Sequence, residues 1–142
     1  MDNQSLQQLR QMIERHEGKV RHAYQDHLGF WTIGVGRLID ERRGGGLSDR
    51  EIDFLLTNDI ERVLDDLPRR LPFWARLTIS QQQALVNMAF QLGVNGLLGF
   101  RRMLAALERG DGATAELEAL DSRWAQQTPR RATEVASMLR GR

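Results

Sequence analysis

Hydrophobic periodicity breaks at Gly18, and that break limits the fold more than any other property of the chain. Before it, Leu6, Leu9, Met12 and Ile13 fall at helical spacing, and Gly18 stands where a helix C-terminus belongs. After it, from Val20 to Ile39, Tyr24, Phe30, Trp31, Thr32, Ile33 and Val35 are interrupted by Gly29, Gly34 and Gly36, the composition of short strands. Asp26-His27-Leu28-Gly29 places Asp first and Gly fourth, a type I turn joining two of those strands. A helix, a small hairpin and then helices to the end predict an α+β, predominantly helical fold.

The later helices announce themselves by caps and faces. Arg42-Arg43-Gly44-Gly45-Gly46 reads as a flexible break. Ser48-Asp49-Arg50-Glu51 is a capping box, followed by Ile52, Leu55, Leu56, Ile60, Val63, Leu64 and Leu67 on one face. This predicts a long helix ending before Pro68. Ser80 with Gln83 repeats the cap signature ahead of Ala84, Leu85, Met88, Ala89 and Leu92. Gly93 to Gly99 reads as a glycine-rich turn before a helix carrying Phe100, Met103, Leu104 and Leu107, closed by Gly110. Two shorter helices are expected over about 113–120 and 130–139, with Thr128-Pro129 marking the start of the second. Trp74, Trp124, Phe100 and the methionines are expected to fill the helical core. Of Phe30 and Trp31, alternation turns one inward.

Composition excludes several chemistries. The 142 residues suit one domain with a real core. There is no cysteine, which rules out disulfides, thiolate nucleophiles and cysteine-ligated zinc. The net charge of +1 hides signed blocks: residues 40–66 hold nine acids and four bases, whereas 67–107 hold five Arg and no acid. Such blocks fit a basic surface for a polyanion, or simply solvated helix faces. The polar start lacks the basic and apolar regions of a secretory signal, and no apolar run is long enough to span a membrane, so the product is expected in its maker's cytoplasm unless exported by another factor.

Three side chains carry the chemistry. Glu17 sits in the last turn of the first helix, where the macrodipole disfavours a second negative charge. Such a violation of a local rule marks candidate functional sites, and with partial burial the same field favours the protonated form that a general acid requires. The alternative is an exposed Glu before a glycine cap. Asp26 caps its own turn and Thr32 suits a strand, yet both lie where a helix end and a hairpin could face one cleft. Two carboxylates of unequal environment plus a hydroxyl are what glycosidic hydrolysis by a positioned water needs.

The same residues resemble a known signature. Glu17-Gly18, Tyr24-Gln25-Asp26 and Gly29-Phe30-Trp31-Thr32-Ile33-Gly34-Val35-Gly36 are similar to the signature of the phage-type lysozymes, the endolysins. Asn87-Met88-Ala89-Phe90-Gln91-Leu92-Gly93, Gly99-Phe100 and Ser122-Arg123-Trp124-Ala125-Gln126-Gln127-Thr128-Pro129 resemble that family's later blocks in the same order.

The resemblance implies a lysozyme-like fold of two lobes within one catalytic domain. A small hairpin lobe over about 14–58 and a helical lobe over about 67–142 joined by residues 1–13 would flank a cleft, bridged by a helix from Ser48 to Asp66. It implies a muramidase cleaving the β-1,4 bond between N-acetylmuramic acid and N-acetylglucosamine in peptidoglycan for cell lysis. Glu17 would be the general acid, Asp26 would activate the water or stabilise the oxocarbenium-like state, and Thr32 would help hold that water. Leu38, Phe90, Gln91 and Arg123 would contact the saccharide, and Arg131 would lie beside the catalytic Glu. Some positions depart from the T-even phage members of the family: Arg37 replaces a histidine, Met103 a small polar residue and Glu118 an amide, and the stretch from Leu38 to Ser48 is shorter. Arg37 could pair with the acids of residues 59–66 or face solvent.

Rival functions meet obstacles. A lytic transglycosylase needs one acidic Glu and no water, so it has no use for Asp26 and Thr32. A zinc amidase lacks support because His16, His22 and His27 do not form a His-Glu-x-x-His pair. A nucleic-acid-binding module is suggested by Arg123, Arg130, Arg131 and Arg140, but it lacks an aromatic platform or recognition helix. The expectation is a monomer acting on glycan strands, without metal or cofactor, nucleic acid or membrane insertion. It would be released from the host cytoplasm to the periplasmic wall by a factor such as a holin.

Overall fold

The computed structural model describes residues 1–40 and 45–141, so the Arg42-Arg43-Gly44 part of the expected flexible break lies outside the described residues. The chain divides into two compact units, Met1–Asp53 and Phe54–Arg142.

The first unit opens with helix α1 (Asn3–Glu17), started by the Asp2 carboxylate accepting from Ser5 N. It stops at Gly18, whose N–H still donates to Glu14 O while its φ of 79° turns the following chain out of the helix. Three antiparallel strands follow in spatial order β1-β2-β3: β1 (Val20–Gln25), β2 (Trp31–Gly34) and β3 (Arg37–Leu38). The hairpin between β1 and β2 turns at Asp26–Gly29 as its residues predict, with Gly29 N donating to Asp26 O at 2.9 Å. Thr32 lies in the central strand opposite Tyr24 on one side and Leu38 on the other. That placement buries it to 2% exposure while its neighbour Trp31 is 52% exposed, the expected alternation.

Helix α2 (Asp49–Arg70) begins with the predicted capping box, Ser48 N donating to Glu51 Oε1 and Glu51 N to Ser48 Oγ. It does not stop before Pro68. The proline forfeits one bond, but the next turn closes through Leu71 N to Leu67 O, and both leucines are buried. Burial of that turn outweighs the missing donor. Among the described residues no helix is long and apolar enough to cross a membrane.

The second unit continues with a single 3₁₀ turn (Trp74–Arg76) and helices α3 (Ile79–Leu92), α4 (Val94–Leu98), α5 (Arg101–Glu108), α6 (Gly112–Leu120), α7 (Arg123–Gln127) and α8 (Pro129–Met138). Three details correct the sequence reading. The cap of α3 is Thr78 with Gln81, not Ser80 with Gln83. The stretch from Gly93 to Gly99 contains the short helix α4 rather than only a turn, with Leu97 fully buried. A further helix, α7, separates the two expected last ones and is started by Ser122 Oγ accepting from Ala125 N.

The buried apolar core of the described residues lies entirely between Leu67 and Leu139. Met88 and Met103 fill it, Trp124 is buried and packs edge-on against Phe100 at 6.0 Å, and Met138 and Trp74 pack on its margin. Met1 and Met12 do not belong to it, because they lie at the N-terminus and on α1, outside that stretch, and are exposed.

Candidate active site

The backbone N–H and C=O of Phe30 join two of the predicted residues. Asp26 Oδ1 accepts from Leu28 N and Phe30 N, both at 2.9 Å. Phe30 O in turn accepts from Asp26 N at 2.8 Å and from Thr32 Oγ1 at 3.0 Å. The turn-capping role of Asp26 is therefore present, and it is also what makes its carboxylate rigid. Phe30 thus bonds that carboxylate through its N–H and the Thr32 hydroxyl through its carbonyl. Thr32 spends its proton on Phe30 O and keeps oxygen lone pairs as acceptors.

Glu17 ends α1 as predicted but is exposed, so the expected partial burial is absent. The chain leaves the helix at once through Gly18 into β1, and the Glu17 side chain lies against Gly36 in the β2–β3 turn. The Gly34-Val35-Gly36 pattern was legible as strand-breaking glycine. The contact with Glu17, 19 residues away by position, was not.

Arg37 is exposed and its acid partner is one that the sequence reading did not name: its Nη1 lies 2.7 Å from Glu51 Oε2, and it also donates to Gly46 O at 3.2 Å. Glu51 was readable only as half of a capping box. It serves Ser48 and Arg37 together, and the Arg37 hydrogen bond, followed by the Ser48 N–H, holds its carboxyl down at about 2. A depressed carboxyl stabilises the fold fully above its ordinary value near 4.5, and that contribution disappears as pH falls through about 2. Glu51→Gln keeps the capping box and removes only the ion pair. Urea midpoints of this variant are therefore expected to lie below wild type at pH 7 and to converge with it as pH approaches 2. A gap that persists unchanged into acid would show that the pair contributes nothing.

The other predicted residues stand on β3 and in the second unit. Leu38 is half-buried on β3. Phe90, 45% exposed, lines a groove of about 520 Å³ on the second unit with Leu56, Ile60, Ile79, Val86 and Arg131. Arg131 is held by Asn87, through Nε to Oδ1 at 2.9 Å and Nη2 to the carbonyl at 3.3 Å. Sequence reasoning missed Asn87, although it stands in the block that contains Phe90. Gln91 Oε1 accepts from the buried Trp124 indole at 2.9 Å, so that oxygen organises the core. Arg123 is exposed at the start of α7. Met103 is buried and Glu118 half-buried, both lining a second, smaller depression with Phe100.

Comparison with known proteins gives a consistent pattern. The family described as phage lysozyme matches residues 14–142. The chain is 32% identical to the pre-baseplate central spike protein Gp5 of Enterobacteria phage T4, over 97% of this chain but only 28% of that protein's length. It is 26% identical to "Probable T4-type lysozyme 1" of Dictyostelium discoideum, over 92% of each chain. An endolysin of Acyrthosiphon pisum secondary endosymbiont phage 1 is 30% identical over 74% of this chain and 71% of its own length.

Proposed function

The chain belongs to the phage lysozyme family, and from that premise we propose that it hydrolyses the β-1,4 bond between N-acetylmuramic acid and N-acetylglucosamine in peptidoglycan. Glu17 protonates the leaving oxygen, Asp26 activates the attacking water or stabilises the oxocarbenium-like state, and Thr32 helps hold that water. Leu38, Phe90, Gln91 and Arg123 contact the saccharide, and Arg131 has a supporting role. The observation that carries this reading is the Phe30 backbone bonded to both Asp26, through its N–H, and Thr32, through its carbonyl. Each of the two groups is held by the same residue, which supports their use in positioning a water. The enzyme acts as a monomer on glycan strands and reaches the wall after release by another factor.

A water held on the face opposite the acid displaces the leaving group in one step, so hydrolysis is expected to invert the anomeric centre. Digestion of purified peptidoglycan, with NMR of the first-formed anomer and mass analysis of the ends, tests this. Inverted reducing ends support the mechanism. Retained anomer requires a covalent intermediate, and anhydromuramyl ends require a transglycosylase; either result rejects it.

A further inference from the structure

Gly34, the last residue of β2, and Gly36, in the β2–β3 turn, share nearly the same φ and stand in different surroundings. Gly34 and Gly36 have φ of 69° and 68°, where side chains are strained. A Cβ built on Gly34 meets nothing within 4 Å. One built on Gly36 comes within 2.6 Å of Glu17 Oε2, 2.9 Å of Cδ and 3.1 Å of Cγ. The distal half of the Glu17 side chain thus occupies the volume that any side chain at position 36 would take.

We propose that Gly36 is a positioning residue for Glu17, its bare backbone forming the seat that fixes where the carboxyl group stands. The proposal rests on the reading of Glu17 as the acid. The end of α1 fixes the Cα and Cβ of Glu17, but an exposed glutamate keeps freedom about its remaining torsions. A general acid has to stand within about 0.5 Å of its working place, so a surface carboxyl needs a support. Gly36 supplies one that is itself held. Ile33 pairs with Arg37 and Thr32 with Leu38 across the turn, and Arg37 is clamped to Glu51 and to Gly46 O. The close approach requires glycine, because the nearest atoms are the carboxyl group and the methylene that carries it. The Glu17 side chain can swing away from an added methyl without disturbing the backbone, so the loss falls on turnover rather than on folding.

The test compares Gly36→Ala with Gly34→Ala on soluble peptidoglycan fragments. Both variants place a side chain at the same positive φ, and only Gly36→Ala displaces Glu17. Similar drops in unfolding midpoint are expected for both. Turnover is expected to fall by about 100-fold for Gly36→Ala with KM within about twofold, and to stay within about threefold of wild type for Gly34→Ala. Equal turnover losses in the two variants, or a Gly36→Ala defect confined to KM, overturn the proposal. A nuclear Overhauser contact between the Gly36 Hα and Glu17 Hγ protons of the wild-type protein is the second readout and needs no activity. Its presence supports the seat, and its absence overturns the proposal. Wild-type protein that leaves peptidoglycan intact would instead reject the lysozyme reading, with the proton contact still deciding the seat.

Discussion

Replacing Glu17 with glutamine is expected to leave the protein folded and to reduce release of reducing ends from peptidoglycan by about 100-fold to 10,000-fold. The amide matches the carboxyl in shape, so it still fits against Gly36 and the α1 terminus is unchanged. It cannot give a proton to the glycosidic oxygen. Because Glu17 is exposed, the exchange leaves no buried group unsatisfied, and the unfolding midpoint should stay close to that of wild type. Substrate affinity should change less than turnover, since the proton matters most where charge develops on the leaving group. Activity of Glu17→Gln within about tenfold of wild type, measured on the same peptidoglycan, would remove Glu17 from the acid role, because general acid catalysis is worth more than that.

The largest stability loss is expected at Gln81, a buried polar residue whose side chain serves two groups. Its Oε1 accepts from Thr78 N and its backbone N–H donates to Thr78 Oγ1, closing the capping box of α3. Its Nε2 donates to Leu139 O at 2.9 Å, 58 residues along the chain. Gln81→Ala loses half of the box, worth about 1 kcal/mol, and strands a carbonyl beside the core, worth about 1–3 kcal/mol. Together these predict a loss of about 2–4 kcal/mol in urea unfolding at neutral pH, a large share of the stability of a single domain. Gln81→Glu separates the two contributions, keeping an acceptor for Thr78 N while placing a carboxylate against Leu139 O. It should be destabilised even though its capping box is intact. If both variants unfold within about 0.5 kcal/mol of wild type, the Leu139 bond carries no weight, since surface changes away from such features fall in that range.

Much of the candidate site was legible because its parts are local. Gly18 ends α1 one residue after Glu17, and Asp26 builds its turn from residues two and four positions ahead. The alternation that buries Thr32 and exposes Trp31 follows from strand geometry alone. The hydroxyl of Thr32 was legible as a candidate, but its bond to Phe30 O was not, since a threonine rotamer has several possible acceptors. The partial burial expected for Glu17 failed for a related reason. Burial depends on what other segments bring to a helix end, and here the contact recorded is the backbone of Gly36.

The sequence by itself determined the order of helix, hairpin and helices, the glycine stop at Gly18, the Asp26 turn, the Ser48–Glu51 box and the proline start of α8, all set by residues within about four positions of one another. Tertiary structure decided between signals of equal local strength. Thr78 with Gln81 and Ser80 with Gln83 are both cap signatures, offset by two residues. The first prevails because Ser80 Oγ and Gln81 Nε2 reach Met138 O and Leu139 O at the end of α8. Pro68 could have ended α2, but burial of Leu67 and Leu71 carries the helix past it. Arg37 had acids available at residues 59–66 and took Glu51, 14 residues ahead, which the capping box already held in place. For the cap and the arginine the local free-energy difference is about 1 kcal/mol or less, and for the proline it is about 3 kcal/mol. A hydrogen bond or buried leucine contributed by a distant segment is worth as much or more, so only the folded chain settles the choice.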